Sequence, residues 1–364
     1  MEQLESIAAY RLEVPLTKPY RLAFGAVERY DTIIVTATDS EGREGFGEAT
    51  VLTGYTDETI ADAWRVARDF AAHLAGGPRE GLLASVARLG ATHPFTATAF
   101  GTALEMLEPA GAFSASSATT VPLVGLLDAQ DDDAIAAQFD ALLATGHRTI
   151  KVKVGFEVAA DIRLVRAVQR AGRDRARIRI DANQGYSAEQ GTAFVRALDP
   201  EGIELFEQPC AAGDWDAHLR VARAAAVPLM LDESIYGMED IEKAAQLQCA
   251  AFIKVKLMKF VTLASLAAAI ERIRALGMQP VLGNGVACDP GCWLEACIAA
   301  RHIDNAGEMN GFLKTRAQLL TPSLGFKDGA LQFPAAYAPQ LDRETLREYL
   351  VDEVLCPVRA SART

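Results

Sequence analysis

Five short apolar runs in this chain end in charge, and the charges are of the kinds that move protons and hold metals. They are Lys151-Val152-Lys153, Asp181-Ala182-Asn183, Glu207-Gln208-Pro209, Asp232-Glu233-Ser234 and Lys254-Val255-Lys256. One charge at the end of a buried strand is ordinary. Five in succession are not, because an unpaired charge there is costly. Asp181, Glu207 and Asp232 supply hard oxygen ligands from three consecutive runs, the donor set that Mg2+ favours. A carboxylate substrate chelating that ion has a more acidic α-proton, since the metal stabilises the enediolate left behind. A lysine beside a dication loses affinity for its own proton and becomes a base. Period two along a strand puts Lys151 and Lys153 on one face, and Lys254 and Lys256 likewise.

The elements that must position these groups follow from the apolar rhythm. From Val121 onward, candidate strands at 122–126, 149–154, 177–181, 203–207, 228–232, 252–257, 280–283 and 306–309 alternate with segments of helical period at 159–170, 188–198, 240–248 and 263–276. Eight strands alternating with helices predict an α/β chain with a parallel (β/α)8 TIM barrel, whose strand C-termini meet at one mouth. An open doubly wound sheet is the rival, and no GxGxxG follows a strand to support its dinucleotide-binding version. Lys153 on the second strand and Lys256 on the sixth then face each other across the ring.

Residues 1–120 read as an α+β capping domain. Thr32–Thr38 is a strand, Asp39-Ser40-Glu41-Gly42 a turn and Gly45–Glu48 the return strand, with helices over 57–75 and 96–108. The barrel spans 121–330, and 331–364 returns to the cap. With 364 residues, half of them hydrophobic, the chain can bury a sizeable core. Its formal charge of -12 speaks against nucleic acid and anionic membrane surfaces. The acidic start Met1-Glu2-Gln3-Leu4-Glu5 shows no secretory signal, and six cysteines without a CxxC pair read as reduced thiols. A cytoplasmic protein is expected, with a small-molecule carboxylate as substrate and further copies of itself as a homo-oligomer.

The run Val255-Lys256-Leu257-Met258-Lys259, the Lys-x-Lys pair at Lys151 and Lys153 and the three acidic strand ends together resemble the muconate-lactonizing-enzyme subgroup of the enolase superfamily, in the mandelate racemase/muconate lactonizing enzyme family. The resemblance spans the whole chain in organisation. It implies Lys153 and Lys256 as acid/base residues, Lys151 as an electrostatic neighbour, and Asp181, Glu207 and Asp232 as Mg2+ ligands. Asn183, Glu233 and Lys254 support them, with Lys254 an ion-pair partner of Glu233. Glu308 and Asn310 stand where dipeptide epimerases carry the Asp-x-Asp that holds a substrate ammonium. Glu308 is expected to keep an ammonium partner, whereas Asn310 changes the charge. Gly283-Asn284-Gly285 allows close approach of substrate, Asn284 included. Tyr20, Arg21 and Tyr55 are expected to close over the mouth from the cap. Phe260-Val261-Thr262 replaces the family's usual Gly-Gly, so the following loop is remodelled. The implied activity is racemisation or epimerisation of an amino-acid derivative. A lyase on the same scaffold (dehydratase, cycloisomerase or o-succinylbenzoate synthase-like) is the alternative, and a silent binding barrel the remote one.

Overall fold

The computed structural model describes residues 4–22, 25–52, 56–75, 81–108, 113, 118–172 and 174–357; Tyr55 lies outside them, and Arg21 is described only as part of a strand backbone. The chain opens with strands β1 (Leu4–Leu22), β2 (Gly25–Asp39) and β3 (Glu44–Thr50), followed by helices α1 (Ile60–Ala75), α2 (Leu82–Gly90) and α3 (Pro94–Glu105). The β2–β3 hairpin pairs Thr32 with Thr50 and Thr38 with Glu44, around the expected turn. Trp64, Ala67, Ala71, Phe95 and Phe100 press the helices onto Ile7, Ile33 and Val35 of the sheet.

Next come β4 (Thr119–Pro122), β5 (Gly125–Leu127), α4 (Asp132–Ala144), β6 (Thr149–Lys153), α5 (Val158–Gly172), β7 (Arg177–Asp181), α6 (Ala188–Ala197), β8 (Ile203–Glu207), α7 (Trp215–Ala224), β9 (Leu229–Leu231), α8 (Met238–Leu247), β10 (Phe252–Val255), α9 (Leu257–Phe260), α10 (Leu263–Ala275), β11 (Gln279–Leu282) and α11 (Asp289–His302). The C-terminal part adds β12 (Leu320–Thr321), β13 (Gly325–Lys327), β14 (Ala330–Phe333), β15 (Gln340–Leu341), α12 (Arg343–Glu348) and β16 (Leu350–Pro357). Among the described residues, β5 to β11 form a parallel sheet in sequential order. β16 pairs antiparallel with β1, joining the end of the chain to its beginning.

The expected first barrel strand is split. Thr119–Pro122 pairs antiparallel with β14, and only Gly125–Leu127 joins the parallel sheet. Pro122 has no N–H to donate and marks the change of partner. The expected eighth strand, 306–309, is not a regular strand. It still bonds to both edges of the sheet: Glu308 N–H donates to Leu282 O at 3.0 Å, Gly307 N–H to Pro122 O at 2.8 Å, and Val124 N–H to Gly307 O at 2.9 Å. Through these bonds the two edges meet.

Register does the positioning. Lys153, Asp181 and Glu207 are direct neighbours across β6, β7 and β8, and so are Val152, Ile180 and Phe206 one step back. The second trio packs outward against Val165, Val168 and Phe194 of α5 and α6. Alternation therefore turns the first trio inward at the C-terminal edge. Deeper inside, Leu205, Met230, Phe252 and Val281 form a separate apolar plug. No helix among the described residues is long and apolar enough to cross a membrane. The six cysteines are free thiols, as expected, and Cys288, Cys292 and Trp293 are core residues.

Candidate active site

The strand ends converge on a cavity of about 340 Å³ lined by Lys151, Lys153, Asp181, Asp232, Lys254 and Lys256, among others. Lys151 Nζ lies 2.8 Å from Asp181, 2.6 Å from Glu207 and 3.0 Å from Glu308. Lys254 Nζ lies 2.6 Å from Glu308, 3.0 Å from Glu207 and 3.5 Å from Asp232. Lys153 Nζ donates to Asp181 at 2.6 Å and to the Asn183 side chain. Lys256 Nζ donates to Asp232 at 2.8 Å. Asn183 braces two acids at once, its N–H on Asp181 Oδ1 and its side-chain amide on Glu233 Oε1, both at 2.9 Å. Its positive φ of 41° is one that Asn tolerates better than most residues.

Charge compensation explains how so many ionised groups stay buried. Burial alone disfavours the charge on Asp181, but Lys151 and Lys153 pull its pKa down to about 2. Asp232 is held well below the usual carboxylate range by Lys256, Lys254 and Lys259 against the same burial. Glu207 is different: burial and the neighbouring Asp181 push it up to about 7. Burial also opposes the charges of Lys151 and Lys254, yet the surrounding carboxylates raise both ammonium groups above their ordinary value.

The donor set suits a hard dication by its chemistry. Asp181, Glu207 and Asp232 share Lys151 and Lys254 as partners. Asp181 and Asp232 line the cavity while Glu207 lies fully buried behind it, and Glu233 Oε2 is buried with no hydrogen-bond partner. As they stand, no three acidic, His or Cys side chains among the described residues are drawn together around one point. Lysine ammonium groups occupy the spaces between them, and an ion held there would take the place of those contacts.

Several expectations are corrected here. Asn284 does not line the cavity: its side chain bonds Val286 N–H and O within its own turn, and its N–H is held by Glu295. Gly285 and Val286 line the cavity in its place. Lys254 pairs with Glu207 and Glu308 rather than with Glu233, because its side chain points into the ring and not toward the mouth. Glu308 lines the cavity, and its carboxylate accepts from Lys151 and Lys254. Asn310 and Tyr20 do line the cavity.

Three groups escaped the sequence reading. Buried Lys259 donates to Asp232 O and Ile235 O at 2.8 Å and stacks over Tyr236, 4.4 Å from the ring centre. It follows Lys256 by three residues, one helical turn, which is the signal that points to it. Glu295 lies in the buried middle of α11, and its carboxylate accepts from Leu257 N–H at 2.9 Å and Asn284 N–H at 3.0 Å. It thereby ties the residue after Lys256 to the end of β11. Lys314 lines the cavity four residues after Asn310.

A parallel α/β sheet whose edges meet through residues 307 and 308, with lysines and carboxylates facing one another at the strand C-termini, defines an enzyme scaffold with its active site at that end. Residues 134–339 match the enolase C-terminal domain-like family, and the chain belongs to it, within the mandelate racemase/muconate lactonizing enzyme group of the enolase superfamily. It is 28% identical to an aromatic dipeptide epimerase from Herpetosiphon aurantiacus, over 85% of this chain and 87% of that one. It is 27% identical to an o-succinylbenzoate synthase from Geobacillus stearothermophilus, over 70% of each. Its fold matches the dipeptide epimerase from Cytophaga hutchinsonii solved with Mg and the dipeptide D-Ala-L-Val: the TM-score is 0.85 at 21% identity, covering 97% of this chain and 99% of that one.

Proposed function

We propose that this chain removes, with Mg2+, the proton α to a carboxylate and returns it to either face of the resulting enediolate, racemising or epimerising an amino-acid derivative. The observation that carries this reading is the placement of Lys153 and Lys256. They line one cavity, Lys153 on β6 and Lys256 directly after β10, four strands along the sheet, with Asp181, Glu207 and Asp232 on the strand ends between them. The similarity to named epimerases supports the same reaction class.

Asp181, Glu207 and Asp232 are the residues to hold the ion, which when bound supplies a positive charge that acidifies the α-proton and stabilises negative charge on the substrate carboxylate. Lys153, oriented by Asp181, and Lys256, oriented by Asp232, would each serve as the base on one face. Lys151 and Lys254 remain protonated, compensating Glu308 at the cavity floor. Residues 1–120 act as a cap, from which Tyr20 reaches the cavity, and 331–364 as the segment returning to it, supported by the β16–β1 pairing. Arg21 and Tyr55 are proposed to join Tyr20 there. The assembly is proposed to be a cytoplasmic homo-oligomer.

The similarity to o-succinylbenzoate synthase favours a lyase as second reading, since elimination begins with the same proton. Proton NMR in D2O, on N-acyl amino acids and dipeptides with Mg2+, separates the two. Deuterium at the α-carbon of both stereoisomers supports racemisation or epimerisation, and loss of a leaving group supports the lyase. Undiminished activity in excess chelator overturns the metal-dependent reading.

A further inference from the structure

At the far side of the cavity a second polar cluster remains. Lys314 Nζ donates to Gly285 O at 2.6 Å and stands over the Tyr20 ring, 4.0 Å from its centre. The Tyr30 hydroxyl donates to the same carbonyl at 3.0 Å, so that oxygen is already served twice. None of the described carboxylates forms an ion pair with Lys314, unlike the Lys151, Lys153, Lys254 and Lys256 ammonium groups. An ammonium has three protons, and here one is used.

Space for this cluster depends on the absence of a side chain at Gly285. A Cβ there would lie 2.9 Å from Lys314 Nζ, 3.3 Å from Asn310 Oδ1 and 3.7 Å from the Tyr20 hydroxyl. Three polar groups, Tyr20 from β1 and Asn310 and Lys314 from one short segment, thus surround one point on the cavity wall, and all of them line the cavity. Asn310 is 7% exposed, and its Oδ1 has no hydrogen-bond partner. Its amide is oriented by the Val124 carbonyl, to which Nδ2 donates at 3.4 Å. A buried acceptor without a donor is unfavourable unless something supplies one. Tyr20 reports the same field: burial alone would raise its phenol, but Lys314, Lys153 and Lys151 pull it below its ordinary value.

We infer that this cluster is a subsite for a second anionic group on the substrate, received by the Lys314 ammonium and the Tyr20 hydroxyl, while Asn310 Oδ1 accepts from an uncharged substrate N–H. The inference rests on the α-proton reading and narrows it. The substrate nitrogen is acylated rather than a free ammonium, because Glu308 is already neutralised by Lys151 and Lys254 and the charge that shares the Gly285 wall with Asn310 is the Lys314 ammonium. The acyl group carries an anionic terminus. Lys314 is thereby a specificity-determining residue, outside the proton-transfer machinery.

The test compares N-succinyl, N-glutaryl and N-acetyl forms of one amino acid, together with dipeptides, by α-deuterium exchange in the Mg2+-loaded enzyme. The dianionic forms should exceed the N-acetyl form by roughly 10- to 100-fold in kcat/KM, mostly through KM, the range of one charge-assisted contact. Lys314→Met should collapse that ratio toward one and Lys314→Arg should retain it. A ratio near one in the wild type, a ratio that survives Lys314→Met, or a preference for free-ammonium dipeptides overturns the subsite while leaving α-proton chemistry standing. If no compound exchanges, the functional reading fails instead. The subsite is then decided by calorimetry with glutarate against butyrate: tighter glutarate binding that Lys314→Met removes supports it, and equal binding overturns it.

Discussion

Lys254 donates to Glu308 at 2.6 Å from β10 to the segment that joins the two sheet edges. Both side chains are buried, and the same ammonium reaches Glu207 at 3.0 Å. The pair does two jobs. It neutralises a buried acid, and it ties the irregular eighth element to a regular strand. Lys151 reaches the same three-way junction from the opposite side, so Glu308 has two cationic partners and Lys254 has three acidic ones.

Removing one member of such a network leaves the others buried and unbalanced. Lys254→Met should therefore cost about 3 kcal/mol of stability in urea melts with chelator present. Lys254→Met combined with Glu308→Gln should recover part of that loss, because both charges then leave together. Strictly additive losses would show that the two groups do not stabilise each other.

Glu295 gives a pH-dependent prediction. Burial raises its carboxyl to about 7, against the lowering effect of the Leu257 and Asn284 amides. A carboxyl whose pKa is raised on folding from its ordinary 4.5 binds its proton more tightly in the folded state. Its contribution is fully present below pH 4.5 and is lost as pH rises through 7. Urea midpoints of metal-free wild type and Glu295→Gln, compared at pH 5 and pH 8, should show the wild type losing up to about 3 kcal/mol relative to the variant over that interval. A stability difference that does not change with pH would mean that Glu295 does not titrate there.

The chemistry at the rim was legible because it follows from backbone periodicity. Lys151 and Lys153, Asp181, Glu207 and Lys254 sit on strands whose apolar runs announce themselves, and parallel pairing brings their ends together whatever the loops do. Partner choice was not legible. Glu308 meets Lys151 and Lys254 only because the ring closes through Gly307 and Glu308, in a segment with too little β pattern to form a regular strand. Asn284 looked available because a Gly-Asn-Gly turn is open in sequence, but its side chain bonds within the turn itself. Glu295 and Lys314 belong to a helix and a loop beyond the strand ends, and strand reasoning cannot reach them. Tyr20 was legible as a cap residue, but its stacking with Lys314 joins residues almost three hundred positions apart.

Val261 stands where the resemblance leads one to expect glycine. Its φ is 69°, uncommon for a β-branched residue, and it packs into a notch formed by Gly90 and Gly101 of α2 and α3. A Cβ at Gly101 would stand 2.5 Å from Val261 O and 3.1 Å from Thr262 Cγ2. Gly101→Ala should therefore destabilise by about 1–3 kcal/mol in thermal or urea melts, despite alanine's better helix propensity. Val261→Ala should not rescue it, because the first atom met is a backbone carbonyl. A stabilised Gly101→Ala protein would show that this contact yields easily.

The last prediction concerns the two lysines placed as bases. Lys153 lies on β6 and Lys256 directly after β10, four steps along a sheet whose edges meet, so they address the cavity from opposite sides. Their surroundings differ: the Lys153 side chain is 44% exposed and that of Lys256 6%. Each has its own carboxylate, Asp181 for Lys153 and Asp232 for Lys256, so neither needs the other to be oriented. Independent action follows. Lys256→Ala should abolish racemisation by at least about 100-fold, the usual scale for losing a general base, yet retain α-deuterium exchange in the stereoisomer whose proton faces Lys153. Lys153→Ala should do the reverse. Lys254→Ala should slow both directions together, since its contacts to Glu207, Asp232 and Glu308 favour neither face. Proton NMR of each stereoisomer in D2O with the three variants reads all of this directly. A one-sided phenotype in Lys254→Ala, with Lys256→Ala affecting both stereoisomers, would move the second base to Lys254. Loss of exchange with both stereoisomers in both alanine variants of the proposed bases would mean that the two lysines act as one unit, as a lyase with an acid and a base committed to the same substrate face requires.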